Sequence, residues 1–269
     1  LLVPGIALTW GWEWAFILTG AAGFVWLVVW LAVYREPGDH ARVSPEELAY
    51  IRSDPAEPPG RMPWLTLLGY RQTWAFIVGK SLTDPVWLFY LFWLPNFLDS
   101  NYGVTLSGLA APLVAIYLLA DVGSVGGGWL SGALISRGWS VNRGRKTAML
   151  VAALLILPTT LAPASEGMWT AVGIVAVAAA AHQWWSANLF TLVSDMFPRR
   201  AVASVVGIGG FCGAMAAMGF QRATGHILEA TDSNYGLIFG LCGVAYVGAW
   251  LLVHALVPRM RPALTGGTT

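Results

Sequence analysis

The sequence predicts an all-α protein that crosses a membrane several times, and three observations support this fold class. Apolar residues make up 57% of the chain and charged residues only 11%, against roughly 25% charged residues in an ordinary soluble domain. Seven apolar stretches approach the length of about 20 residues that spans the hydrocarbon core of a bilayer. Basic residues gather in alternate loops between these stretches, as expected if the chain crosses the membrane at each one.

The first complete stretch, residues 15–34, carries no charged residue. A polar, Pro-rich segment follows over residues 35–72. Inside it, Ser44 as a helix cap, Pro45 in the first turn and Glu47 three residues after the cap predict one short surface helix. We therefore expect a linker that contains a single helix.

Six further apolar stretches predict a bundle of six membrane helices over residues 73–258, followed by a tail at residues 259–269. Together with the first stretch they give seven spans, each near the length that a bilayer requires. The six stretches lie at residues 74–98, 107–134, 147–163, 169–194, 204–228 and 236–257.

The basic residues also predict an orientation. Lys and Arg in short loops accumulate on the cytoplasmic side, and thirteen of the fifteen lie in the linker, two alternate loops and the tail. The linker and the C-terminus are therefore predicted to be cytoplasmic, in a multi-pass protein of the plasma (inner) membrane. The net charge of +1 gives no indication of a nucleic-acid partner. The two remaining basic residues, Lys80 and Arg222, lie inside predicted spans.

Lys80 and Asp84 are the first candidate functional residues. Four residues apart, they share one face of a helix, and Trp87 continues that face. Charges inside a span are rare and commonly mark a binding site or a transport path. The residues alone leave two interpretations open. The pair serves binding or gating, or it is an internal ion pair that makes insertion tolerable while Lys80 extends to the interface.

Polar residues are concentrated in the second, third, fifth and sixth spans. Lipid cannot satisfy such groups, so these four spans are expected to face one another or a water-filled cavity. In the third span they recur at intervals of four and three residues and form one stripe. Asp121, with no basic residue one turn away, is either a proton carrier or a carboxyl group hydrogen-bonded to a neighbouring helix. The stripe consists of Tyr117, Asp121, Ser124, Gly128 and Ser131.

The fifth span carries the residues best suited to hydroxyl-rich ligands: His182, Gln183, Ser186 and Asn188. The alternative for His182 is a structural histidine with its hydrogen bonds satisfied inside the bundle. Helix geometry does not place His182 and Asn188 on one face, so not all four can point inward.

Three other features have a binding and a structural interpretation. Arg222 is a natural ligand for a carboxylate if it points inward, but it also lies close enough to the outer end of its span to extend to the interface. Trp87 can pack against a sugar ring or serve as an interfacial anchor. The Gly-rich segments 123–128 and 207–213 predict close helix packing, with a hinge as the alternative.

Soluble-enzyme chemistry finds little support in the sequence. The chain has no Gly-Lys-Ser/Thr phosphate loop, no paired-His metal motif and no nucleophile elbow. We therefore expect neither an enzyme nor a cofactor.

Several segments resemble the major facilitator superfamily of transporters. The long linker followed by six helices is similar to the second half of that fold, and the Arg143-Gly144-Arg145-Lys146 turn resembles its basic loop motif. Within the superfamily, GWEWAF (11–16), KSLTDPVWLFYLFWLPNFL (80–98) and HQWWSANLFTLVSDMFPRRAVASVVGIGG (182–210) resemble the anion:cation symporter family, and its hexuronate transporters most.

The resemblance implies a place for each span. Residues 1–34 would be the end of helix five and all of helix six, and the four polar spans would be cavity helices seven, eight, ten and eleven. The first half of the same chain is then expected to be missing from this sequence. Two departures stand out: Glu13 replaces a basic residue, and Gly132 replaces an acidic residue before the basic turn, which weakens any gating contact inferred there.

These expectations combine into one hypothesis and its rivals. The hypothesis is import of a sugar acid, such as glucuronate or galacturonate, with protons, by two halves that rock around a site at the midplane. Lys80, assisted by Arg222 if that side chain points inward, would attract the carboxylate, and Asp84 would hold Lys80. The rivals are transport of another organic anion (an aldonate or an aromatic acid), a receptor or channel that does not carry its ligand, and an inactive fragment.

Overall fold

The computed structural model describes residues 2–53, 62–105 and 108–263. The described residues form α-helices and no strand, which confirms the all-α prediction. Residues 54–61 of the expected linker, residue 107 at the start of the expected third span and the tail beyond residue 263 lie outside this description. The helices are α1 (Leu2–Trp10), α2 (Trp12–Val33), α3 (Pro45–Ile51), α4 (Trp64–Leu68), α5 (Arg71–Tyr102), α6 (Ala110–Ser136), α7 (Val141–Ile156), α8 (Met168–Met196), α9 (Arg199–Ala230) and α10 (Gly236–Leu256).

Five described segments are long and apolar enough to cross a membrane: α2, α6, α7 with its continuation to Ala164, α9 and α10. Helices α5 and α8 have 32 and 29 residues, which is ample length, but they fall outside this set. Their polar residues, Lys80 and Asp84 in α5 and His182 and Gln183 in α8, lower their mean hydropathy. The structure therefore supports five of the seven predicted spans by composition.

The chain divides into two compact units, Leu1–Pro58 and Pro59–Thr269. In the first unit, α1 packs against α2, and the chain turns between them at Gly11, whose φ of 96° suits glycine. Helix α3 is the predicted linker helix. The hydroxyl oxygen of Ser44 accepts a hydrogen bond from the backbone N–H of Glu47 at 3.1 Å, so the predicted cap is confirmed.

The second unit contains two sets of three helices, α5–α7 and α8–α10, that pack in a reciprocal way. The second helix of each set packs against the first helix of the other: α6 on α8, and α9 on α5. The third helices behave alike, since α7 packs on α8 and α10 on α5. The second unit is therefore built from two structurally corresponding sets of three helices.

An aromatic cluster joins α5 to α10 in the core of the second unit. The ring of Phe239 lies 5.2 Å from that of Phe89 and 4.9 Å from that of Phe97, measured between centroids. All three side chains are fully buried. Aromatic pairs at these separations stabilise a core beyond the area that they bury.

The predicted fourth span, residues 147–163, begins earlier and changes form midway. Helix α7 begins at Val141 because the side chain of Ser140 accepts a hydrogen bond from the N–H of Arg143, a standard N-terminal cap. The basic turn is therefore helical. From Leu157 to Ala164 the chain is a 3-10 helix. Pro158 and Pro163 explain this change, since neither can donate an α-helical hydrogen bond.

Glycines permit close approach between helices, as the Gly-rich segments predict. A Cβ atom added at Gly123 would lie 2.1 Å from the carbonyl oxygen of Ala180, and one added at Gly127 would lie 2.6 Å from the Cα atom of Trp184. Helices α6 and α8 thus meet backbone to backbone, which small residues allow in membrane bundles.

Candidate functional site

The candidate site lies where α5 faces α8 and α9. The Nζ atom of Lys80 lies 2.8 Å from Oδ1 of Asp84, and their side chains are 13% and 20% exposed. The same Nζ atom lies 4.9 Å from the centroid of the Phe190 ring on α8, within the range of a cation–π contact. The predicted pairing of Lys80 with Asp84 is therefore present, and the pair remains partly open to its surroundings.

Helix α9 passes close to this pair because it has glycine at the contact. A Cβ atom added at Gly213 would lie 2.4 Å from Oδ2 of Asp84 and 3.3 Å from Cβ of Lys80. Only hydrogen occupies this space in glycine, so the carboxylate rests against the backbone of α9. Gly213 thus sets the distance between α9 and the charged pair.

Trp87 and His182 form the second part of the site. Their rings stack with centroids 4.8 Å apart and an interplanar angle of 8°. Trp87 also meets Tyr117 of α6 edge to face at 6.4 Å. His182 is only 5% exposed, whereas Trp87 is half-buried. A ligand entering from the open side would therefore contact the indole before the imidazole.

The tautomer of His182 follows from its hydrogen bonds. The hydroxyl group of Tyr246 on α10 donates to the carbonyl oxygen of Thr83 at 3.2 Å, and the same hydroxyl lies 2.5 Å from Nδ1 of His182. A phenol has a single hydrogen. Both contacts are hydrogen bonds when this hydrogen is donated to Thr83 and Nδ1 of His182 donates to the oxygen of Tyr246.

Ser186 occupies the middle of the α8 face that borders the site. His182 contacts Trp87 and Phe190 contacts Lys80, and Ser186 lies one turn from both His182 and Phe190. Residues four apart share a helix face, so Ser186 lies beside the charged pair and is half-buried. Gln183 is half-buried on the adjacent face of α8. The two side chains make no hydrogen bond with a described residue.

Asn188 points toward α6 instead. Its side-chain amide donates to the carbonyl oxygens of Gly127 and Trp184, both at 3.0 Å, and the residue is 1% exposed. The bond to Gly127 ties α8 to α6, whereas the bond to Trp184 lies within α8. The side-chain oxygen Oδ1 of Asn188 has no hydrogen-bond partner among the described residues.

The predicted stripe on α6 is mostly exposed. Ser131 is fully buried and accepts a hydrogen bond from Arg145 at 2.8 Å, whereas Asp121 and Ser124 are exposed. Asp121 borders a shallow groove with apolar neighbours that include Val125 and Trp129. Within the described part of its unit it has no hydrogen bond, so the alternative of a bond to a neighbouring helix is not seen there.

Arg222 is exposed and makes no ion pair with a described residue. It lies about 180° around α9 from Gly213, given the 100° turn per residue of an α-helix. The structure therefore does not bring Arg222 to the charged pair. Its neighbour Gln221 does point into the bundle, where its side-chain oxygen accepts a hydrogen bond from Nε1 of Trp93 at 2.6 Å.

Two residues that contact predicted functional residues were not identified from the sequence. Tyr246 lies in the seventh predicted span, outside the four spans in which polar residues are concentrated, yet a tyrosine in mid-span needs a partner for its hydroxyl group. Asp195, at the end of α8, accepts a hydrogen bond from Arg145 at 3.0 Å. This ion pair links the basic turn to α8, in a chain that has Gly132 where an acidic residue was expected.

Comparison with known proteins gives the class to which this fold and site belong. Residues 1–220 match the family described as the Major Facilitator Superfamily. The chain therefore belongs to the major facilitator superfamily of membrane transporters.

The similar proteins are transporters of sugar acids. The chain is 29% identical over 260 residues to the hexuronate transporter of Escherichia coli (strain K12), covering 94% of this chain and 59% of that protein. It is 32% identical over 189 residues to the galacturonate transporter of Dickeya chrysanthemi, covering 67% and 53%. It is 25% identical over 251 residues to the D-galactonate transporter of Escherichia coli O6:H1, covering 88% and 58%.

These similarities confirm the predicted resemblance to sugar-acid transporters of the superfamily. The chain spans less than two thirds of the length of each of these relatives.

Proposed function

We propose that this chain forms the second half of a transporter that imports a sugar acid together with protons. The observation that carries the proposal is the half-buried Lys80 of α5, which pairs with Asp84 of the same helix and makes no other hydrogen bond with a described residue. A cation held at mid-helix in a membrane bundle is suited to bind an anion. The similarity to transporters named for hexuronates, galacturonate and galactonate supports a sugar acid as that anion.

The membrane arrangement is part of the proposal. We propose that α5 and α8 also cross the membrane, giving seven spans, because each packs against helices that are apolar enough to do so. Successive loops between the spans then lie on opposite sides of the inner membrane, and the Arg-rich loops lie on its cytoplasmic side. Residues 35–72 remain the proposed cytoplasmic linker, and residues 73–258 the proposed six-helix bundle.

Substrate recognition would combine charge, stacking and hydroxyl contacts. Lys80 binds the carboxylate, and Trp87 stacks on the sugar ring. Ser186 and Gln183 donate to or accept from hydroxyl groups. His182 acts from behind Trp87, and Asn188 acts by fixing α8 on α6. Arg222 remains a proposed contact only with a ligand on the exposed face of α9.

Proton linkage would involve the carboxylates Asp84 and Asp121. Asp84 neutralises Lys80 when no substrate is bound, and a substrate carboxylate competes with it for the same ammonium group. Successive spans run in opposite directions, so Asp121, one turn after Tyr117, lies near the depth of Asp84, one turn before Trp87. The exposed carboxyl group of Asp121 is accessible for proton exchange on that side of the bundle.

The test is uptake of labelled galacturonate and glucuronate by the full-length protein in proteoliposomes, with and without an imposed pH gradient. We expect gradient-driven uptake in the unaltered protein and at least about a tenfold loss in Lys80→Ala. Lys80→Arg, which keeps the charge, is expected to retain part of the uptake. Arg42→Gln removes an exposed charge from the proposed linker, outside the site, and serves as the matched control.

Two outcomes would contradict the proposal. Folded protein that takes up neither sugar acid excludes a hexuronate substrate, and the same assay with galactonate then tests the aldonate alternative, which the similarity to a D-galactonate transporter favours. Uptake without exchange of labelled for unlabelled substrate would indicate a channel, because a carrier exchanges the two.

A further inference from the structure

A basic pocket lies at the end of the second unit where α5 begins and α10 ends. It encloses about 440 Å³ between the start of α5 and the segment that follows α10. Three of its seven lining residues are arginines: Arg71, Arg259 and Arg261. Among the described residues no carboxylate lines it, and none of the three arginines forms an ion pair there. The described lining therefore carries a positive charge of about three.

The two sides of the pocket are fixed to each other. The guanidinium group of Arg71 donates to the carbonyl oxygen of Ala255 at 3.2 Å, and the side-chain amide of Gln72 donates to the carbonyl oxygen of Arg261 at 3.4 Å. Arg71 and Gln72 are the first two residues of α5, so the positive end of the helix dipole adds to the potential at the pocket. A concave site with this charge favours an anion with several oxygen atoms.

The segment that carries Arg259 and Arg261 is held in place by neighbouring helices. The Nζ atom of Lys146 donates to the carbonyl oxygens of Val257 and Pro258, the latter at 2.8 Å. The N–H of Met260 donates to Oδ1 of Asn142 at 3.0 Å. Because the segment is already ordered, ligand binding loses less conformational entropy.

The position of the pocket relative to the lipid bilayer indicates which anion it binds. Helix α10 has 21 residues and is about 31 Å long, close to the thickness of the hydrocarbon core. The pocket begins at Leu256, where that helix ends. Leu252, one turn earlier, is 48% exposed, and Leu241 on the same face is 43% exposed. An acyl chain can therefore lie along α10 while its headgroup reaches the arginines.

We propose that this pocket binds the phosphate of an anionic phospholipid headgroup, with Arg71, Arg259 and Arg261 as its ligands. The lipid phosphate is held at the end of α10 and bridges α10 to α5. The same chemistry would accept a free phosphate ion, and the experiment separates the two sources. Arg71 lies nine residues before Lys80 on α5, about 13.5 Å along the helix axis, so the lipid phosphate and the proposed substrate occupy different positions.

The test measures thermal unfolding of the full-length protein in an uncharged detergent. The probes are short-chain phosphatidylglycerol, the zwitterionic short-chain phosphatidylcholine and inorganic phosphate. The variant is Arg259→Gln with Arg261→Gln, which keeps the Arg71 bond to Ala255. The control is Arg137→Gln with Arg143→Gln, which removes two exposed charges from another helix end in the predicted cytoplasmic group.

We expect phosphatidylglycerol to raise the unfolding midpoint in a saturable way and phosphatidylcholine to act much more weakly. The apparent affinity should fall about tenfold or more in the Arg259/Arg261 variant and stay unchanged in the control. Protection by inorganic phosphate at similar concentration, lost in the same variant, would assign the site to free phosphate. Equal affinity in the variant and the control, or no midpoint shift with any probe, would overturn the proposal.

Discussion

The imidazole of His182 lies parallel to the indole of Trp87, and Nδ1 of the same imidazole donates to the hydroxyl group of Tyr246. One residue on α8 thereby connects a wall of the candidate site to α10. Because His182 is 5% exposed, its effect on a ligand passes through the position of Trp87.

Tyr246→Phe should lower the free energy of unfolding by about 1–3 kcal/mol, because it leaves Nδ1 of His182 buried without an acceptor. Substrate affinity should also fall as Trp87 loses its support. The checks are unfolding in mixed micelles and the KM of uptake. Tyr117→Phe is the matched control, since no hydrogen bond of its hydroxyl group is present among the described residues. Equal effects of the two substitutions would contradict the prediction.

Gly213→Ala should impair function more than stability. The added methyl group would lie 2.4 Å from Oδ2 of Asp84, and the carboxylate can move away only by disturbing its pairing with Lys80. We expect at least about a fivefold rise in KM with a change in stability below about 1 kcal/mol. Gly210→Ala, on the same helix with open space at its Cβ position, should leave KM unchanged. A normal KM for Gly213→Ala would show that the pair tolerates displacement.

Gly127→Ala should destabilise the bundle by about 3 kcal/mol or prevent accumulation of the folded protein. Its Cβ atom would lie 2.6 Å from the Cα atom of Trp184, so two backbones must separate. Gly128→Ala has nothing within 4 Å of the added atom and should be neutral or stabilising by up to about 1 kcal/mol. The prediction is tested by comparing the expression level and the free energy of unfolding of the two variants. A stable Gly127→Ala protein would contradict the close packing of α6 and α8.

Lys146→Met should loosen the segment after α10. The substitution removes the donor to the carbonyl oxygens of Val257 and Pro258 while it keeps most of the aliphatic length of the side chain. Hydrogen exchange should accelerate by about tenfold or more at the N–H groups of Met260 and Ala263, which donate to Asn142 and Met196. Arg137→Gln should leave these rates unchanged. Unaltered exchange in Lys146→Met would assign the order of this segment to its other contacts.

The sequence was a good guide to where helices lie and a poorer guide to where they end. Apolar length determines a span, so each predicted stretch overlaps a helix. The ends depend on local groups: Ser140 starts α7 six residues before position 147, and Pro158 turns its continuation into a 3-10 helix. The reciprocal packing of the two sets of three helices depends on contacts far apart in the chain, and no local pattern contains it.

In the candidate site, too, local contacts were predictable from the sequence and contacts between helices were not. The spacing of Lys80 and Asp84 was enough to predict their pairing, since helix geometry alone brings the two groups together. Phe190 and Gly213 could not be assigned to that pair, because their place depends on how α8 and α9 are rotated. The polarity of Asn188 suggested a ligand, whereas the structure uses its amide to join α8 to α6. The role of Lys80 in binding stays a prediction.

The reciprocal packing of the second unit has a consequence for its biosynthesis. Helix α5 is completed early, but α9, which packs against it, ends about 130 residues later. At the usual pace of translation this interval lasts roughly 6–26 s. During that time the Lys80 side of α5 has no α9 beside it, and α6 waits in the same way for α8. The nascent bundle is therefore expected to need an insertase or chaperone that shields these charged and Gly-rich surfaces until the last helices emerge.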